Sequence, residues 1–145
     1  MEKFLIKKWD ENKEHLKEFI SNKPIDSTCG SYEQMVKTLI NECINYGGFE
    51  NNCDYYPISE NFNVIDHGDY QGTQLFILHS DVYQPSVSDY FIFDNNYGSC
   101  SGCDTLLRII EFDYDQIPND YQVENLMKLF LHMIQRIKCL SRLYE

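Results

Sequence analysis

Apolar positions recur with a helical period near both ends of the chain and alternate in its middle. Over residues 3–21, Leu5, Trp9, Leu16, Phe19 and Ile20 fall within about a third of a helical wheel, with Lys and Glu opposite, predicting an amphipathic helix. Pro24 stops it. Ser31 and Gln34 have the spacing of a capping box, and Val36, Leu39, Ile40, Cys43 and Ile44 follow at helical intervals until Gly47-Gly48. The period then shortens. "NFNVID" (61–66), "TQLFILH" (73–79) and "DYFIFDN" (89–95) are short, rich in β-branched and aromatic residues, and bounded by turns. "HGDYQG" suits a hairpin with a longer loop, and the proline in "VYQPS" (82–86) assigns that segment to a connection. "DTLLRIIEF" fits a short helix capped by Asp104 or a fourth strand. From Asn119 to Leu143, residues such as Leu126, Phe130, Met133, Ile137 and Leu140 cover more than half a helical circumference, predicting a helix buried on most sides. The order is that of an α+β domain with two N-terminal helices, a three-stranded antiparallel meander and a long buried C-terminal helix. The length of 145 residues fits a single globular domain spanning 1–145.

Composition narrows the class. One Trp, eleven Tyr and nine Phe argue for a packed chain rather than a disordered one. The first apolar run breaks at Lys7 and Lys8, too soon for a secretory core, and no apolar stretch approaches the roughly 18 residues of a bilayer span. A cytoplasmic protein that does not enter a membrane is expected, with reduced thiols. Charge matters more for its placement than for its total of −11. Residues 1–49 balance seven Lys against eight acids, and residues 120–145 balance four bases against three acids. Residues 50–119 set twelve acids against Arg108 alone. Such a middle section disfavours direct nucleic-acid binding, which depends on Lys and Arg at phosphates, and favours basic protein surfaces.

The most pointed local motif is "YGSCSGCD", with Cys100 and Cys103 in a CxxC. Zinc requires four ligands, so these two need partners from Cys29, Cys53, His67, His79 or a nearby Asp, and no second ligand pair has finger spacing. Thiol chemistry at a helix N-terminus is a further option, opposed by the neighbouring Asp104 carboxylate and by the lack of later thioredoxin-type elements. A tight turn built on Gly98 and Gly102 is the preferred reading. No cofactor is therefore expected, with zinc at Cys100 and Cys103 as the alternative. Cys43 belongs to the core face of its helix, while Cys139 and His132 share the polar side of the last helix. No local motif supports a nucleophilic triad. Asp113, Asp115 and Glu124 match three EF-hand positions, but Ile117 and Pro118 break the loop.

The run "DYQGTQLFILHSDVYQPSVSDYFIFDNNYGSCSGCDTL" (69–106), followed by "QVENLMKLFLHMIQRIKCL" (122–140), resembles a group of small phage and prophage proteins, most specifically at "YGSCSGCDTL". The resemblance covers about the last half to two thirds of the chain and transfers no catalytic residue. It implies an accessory protein made inside a bacterium and acting on host proteins, with inhibitors that imitate nucleic-acid charge as one form. The expectation is a non-enzymatic protein that binds a basic surface of a host protein, the alternative being a metal-binding or thiol-dependent protein centred on Cys100 and Cys103. Its contact residues are Asp54, Asp66, Asp69, Tyr70, Asp81, Tyr83, Asp89 and Asp94, tyrosines supplying area and aspartates steering.

Overall fold

A computed structural model describes residues 2–50, 55–68, 71–98 and 104–144. Helix α1 (Lys3–Ser21) buries the predicted stripe of Leu5, Trp9, Leu16 and Ile20. A short helix α2 (Ile25–Thr28) follows, with Pro24 as its N-cap rather than simply a stop. Helix α3 (Tyr32–Leu39) is capped by Ser31, whose hydroxyl accepts from Gln34 N–H at 3.1 Å. The capping box does not close on Ser31. Gln34 instead accepts from Gly30 N–H at 2.7 Å and donates to the Asp26 carbonyl at 2.7 Å, tying α3 to α2.

Beyond Leu39 the helix widens into a π turn (Ile40–Ile44), where Asn45 N–H reaches the Ile40 carbonyl at 2.9 Å. Carbonyls at the end of that turn have no helical donor and are met from α1. Asn12 Nδ2 donates to Cys43 and Tyr46 carbonyls at 2.7 and 2.8 Å. Lys8 Nζ donates to Tyr46 and Gly48 carbonyls at 3.0 and 2.6 Å. Two polar side chains buried within an apolar stripe thus fasten α1 to the far end of α3.

Strands β1 (Asn63–Gly68), β2 (Gly72–His79) and β3 (Tyr90–Tyr97) form the expected antiparallel run, but the sheet has four strands, in order β1-β2-β3-β4. At the β1–β2 hairpin Gly68 pairs with Gly72, and a Cβ on Gly72 would meet the His67 carbonyl at 2.1 Å. Only glycine fits that approach. Phe76, Leu78, Phe91 and Phe93 point to one face and join the helical core, with Phe76 stacked on Phe93 at 4.9 Å.

The ambiguous "DTLLRIIEF" folds as helix α4 (Thr105–Ile110) with Asp104 as N-cap. Helix α5 (Asp120–Arg136) begins at a capping box between Asn119 and Gln122. It buries Val123, Leu126, Phe130, Met133 and Ile134 but exposes Glu124, Lys128, His132 and Gln135, so one face is covered rather than most sides. The expected helix to Leu143 is cut at Arg136. Lys138–Cys139 form β4, pairing with Ile92 and Phe91, and Leu140–Tyr144 make a final 3-10 turn. Cys139 is thus a buried strand residue, not a neighbour of His132 on a helix face. Its N–H donates to the buried Glu2 carboxylate at 3.2 Å, and Glu2 pairs with Arg142 at 3.3 Å. That long-range clamp has no signature in local periodicity.

Candidate functional site

Of the eight residues expected to bind a partner, Asp54, Asp69 and Tyr70 lie outside the described residues, as do Cys100 and Cys103. The other five fall in three places. Asp66 faces the helix-covered side of the sheet, accepting from the Tyr97 hydroxyl and from Gln74 Nε2. Asp89 is engaged locally, its carboxylate accepting from Ser86 N–H at 2.9 Å in a capping box. Asp81 and Tyr83 project from the β2–β3 connection, where Tyr83 is 91% exposed. Asp94 stands exposed on the opposite sheet face, across from Leu75. The acids therefore do not form one surface, and of the described ones Asp94 stands on the outer sheet face while Asp81 and Tyr83 lie in the β2–β3 connection.

That outer side is unusual for a solvated sheet face, which alternation normally leaves polar. Ile65 pairs with Leu75 and Ile77 with Ile92, giving a cross-strand aliphatic band, and none of the four belongs to the core cluster. Ile65 is 55% exposed. Asp94, Lys138, His67 and Tyr90 edge the band by strand alternation.

Asp104 links Gly98, α3 and the start of α4. Its buried carboxylate accepts from Gly98 N–H at 2.8 Å, from the Tyr32 hydroxyl at 2.8 Å and from Leu107 N–H at 3.1 Å. Burial pushes the Tyr32 phenol well above its ordinary range, so it stays a donor to this carboxylate while accepting from Leu106 N–H. Of the residues named as further metal ligands, Cys53 lies outside the described residues. Cys29 is fully buried, with its thiol pushed up by burial to about 12. Both His79 nitrogens sit at carbonyls, of Ser80 at 3.0 Å and Asn61 at 3.1 Å. Among the described residues no group of three or more His, Cys, Asp or Glu is placed to hold a metal. No described helix is long and apolar enough to cross a membrane.

A groove of about 580 Å³ runs between α1 and α5, lined by Trp9, Met127 and Leu131 with both signs of charge along it, Lys17 and Glu124 included. Charge elsewhere is less balanced. The ion pairs among the described residues are Lys7 with Glu11 and Glu50, His15–Glu42, Lys128–Glu124 and Arg142–Glu2. None involves an acid from Glu60 to Asp115.

Sequence pattern drew attention to the α4–α5 connection only through the broken EF-hand match of Asp113 and Asp115, yet it also sets Glu111 beside Phe112, which is 95% exposed. A lone aromatic after an apolar run reads as the end of a buried element. No family model, curated protein or solved structure matches the chain.

Proposed function

We propose that this chain is a small acidic accessory protein that binds a basic protein surface through the outer face of its sheet and the adjoining β2–β3 connection. The observation that carries this is the charge left over after folding: among the described residues no acid from Glu60 to Asp115 has a cationic partner. The aliphatic band of Ile65, Leu75, Ile77 and Ile92 supplies contact area. Asp81, Tyr83 and Asp94 supply the charged and aromatic border. Ile65 is exposed and the other three are half-buried, and aliphatic area left open outside the core is a feature of protein-binding surfaces. The resemblance to phage and prophage proteins supports a bacterial host partner in the cytoplasm. A host protein that handles nucleic acid suits best, because its basic face would meet here the charge it meets in a phosphate backbone.

The test begins with capture on immobilised protein from a bacterial lysate at low and high salt. The captured protein is then purified and titrated with wild type and with the Asp81→Asn, Asp94→Asn double variant. Affinity is expected to fall on the order of ten-fold and its salt dependence to flatten. Unchanged affinity and salt dependence would sink the proposal.

A further inference from the structure

Helix α4 ends abruptly. Glu111 has φ 53° and ψ −114°, a conformation that residues other than glycine rarely adopt, and Asp113 N–H closes the turn onto the Ile110 carbonyl at 3.0 Å. The turn throws Phe112 into solvent at 95% exposure, with Ile117 at 60% and Tyr121 at 71% following. Strained backbone and a bare aromatic ring are each unfavourable for the isolated molecule, and here they occupy adjacent residues.

The turn is also firmly held. Buried Gln122 donates through Nε2 to the Ile109 carbonyl and to the Asp113 carboxylate, both at 3.1 Å. The first N–H groups of α2 bind its far side, Ile25 to the Gln116 carbonyl at 2.9 Å and Asp26 to the Tyr114 carbonyl at 2.8 Å. Phe112 is thus presented on a fixed base, which lowers the ordering cost of docking it.

We infer that this turn is a second protein-binding anchor, in which Phe112 enters an apolar pocket on a partner whose rim carries lysine or arginine. The pocket follows from the ring, the rim from its neighbours. Residues 111–121 hold Glu111, Asp113, Asp115 and Asp120 and no Lys or Arg. Two copies meeting turn to turn would set like charges against each other, so a basic partner fits better than a second copy. The anchor stands apart from the sheet face proposed above. The seventeen residues of α5 span about 25 Å. They lead away from this turn to β4, which pairs with the start of β3 beside the β2–β3 connection.

The experiment places a photo-crosslinking phenylalanine analogue at position 112, and in a separate protein at position 83, and irradiates both in bacterial cells. Cross-links from position 112 are expected on a host protein, at a peptide containing lysine or arginine. With that protein purified, Phe112→Ala should weaken binding on the order of thirty-fold without altering thermal unfolding. The Glu111→Gln, Asp115→Asn variant should flatten its salt dependence. Equal affinity for wild type and Phe112→Ala overturns the inference, as do cross-links from position 112 only to other copies of this chain. If position 83 captures a basic partner and position 112 none, the sheet-face proposal stands and this one falls; the reverse removes that proposal and keeps this one.

Discussion

In the helical layer, Lys8 and Asn12 are almost wholly buried on α1, and their nitrogens are taken up by carbonyls at the end of the π turn. On the sheet and in its β2–β3 connection, Asp94 and Asp81 are exposed and make no ion pair among the described residues. The two regions differ in what their polar groups are for. Removing a buried donor strands the carbonyls it served, so polarity in the helical layer is a condition of folding. Removing an exposed, unpaired carboxylate strands nothing, so polarity on the sheet is available to a partner. The charge total does not distinguish the two.

The sharpest way to break this contrast is at Asn12. Asn12→Ala should cost about 2–4 kcal/mol in urea unfolding, because it leaves the buried Cys43 carbonyl without that donor. A loss comparable to that of a surface substitution would place Asn12 outside the framework.

Alkaline pH probes the same layer without mutation. Burial pushes the thiols of Cys29 and Cys43 from 9.0 up to about 12. In the unfolded chain both ionise above 9, while in the folded protein both keep their protons. The stabilisation is therefore fully present below pH 9 and is lost as pH rises from 9 towards 12. Between about pH 8 and pH 10 the two thiols should lower stability by about 3 kcal/mol, and Cys29→Ala should remove roughly half of that decline. Urea midpoints that do not move across this interval would contradict the buried, protonated thiols.

Glu111→Gly acts in the opposite direction. Glycine tolerates a positive φ, so the variant should gain about 1 kcal/mol of stability, read as a higher melting temperature. A destabilised variant would mean that the Glu111 side chain, not the turn geometry, matters to the fold. The smallest effect is expected at the proposed surface, where Asp81→Asn and Asp94→Asn should each change stability by less than about 0.5 kcal/mol. A loss beyond that in either variant would make the carboxylate structural and erase the contrast with Asn12.

Much of the secondary structure was legible because it is written in local period and capping chemistry. The stripe of α1, the Ser31 cap of α3, the alternation of β1 to β3 and the Asn119 start of α5 each depend on residues within a few positions of one another. The candidate site was less legible. Asp66 and Asp94 look alike along the chain, yet strand alternation and the placement of the core put them on opposite faces. Asp89 reads as a surface acid and serves as a cap.

Sequence by itself determined an α+β chain with an acid-rich middle, because hydrophobic period and charge count are properties of neighbours in the chain. Only the tertiary structure decided that α5 gives way to β4, that an aliphatic band faces outward and that Phe112 stands free of the core. Those outcomes depend on partners distant along the chain: Glu2 at Cys139, Phe91 and Ile92 beside β4, and Gln122 and α2 around the α4–α5 turn. A backbone group without a local hydrogen-bonding partner takes whichever one the packed molecule brings within reach.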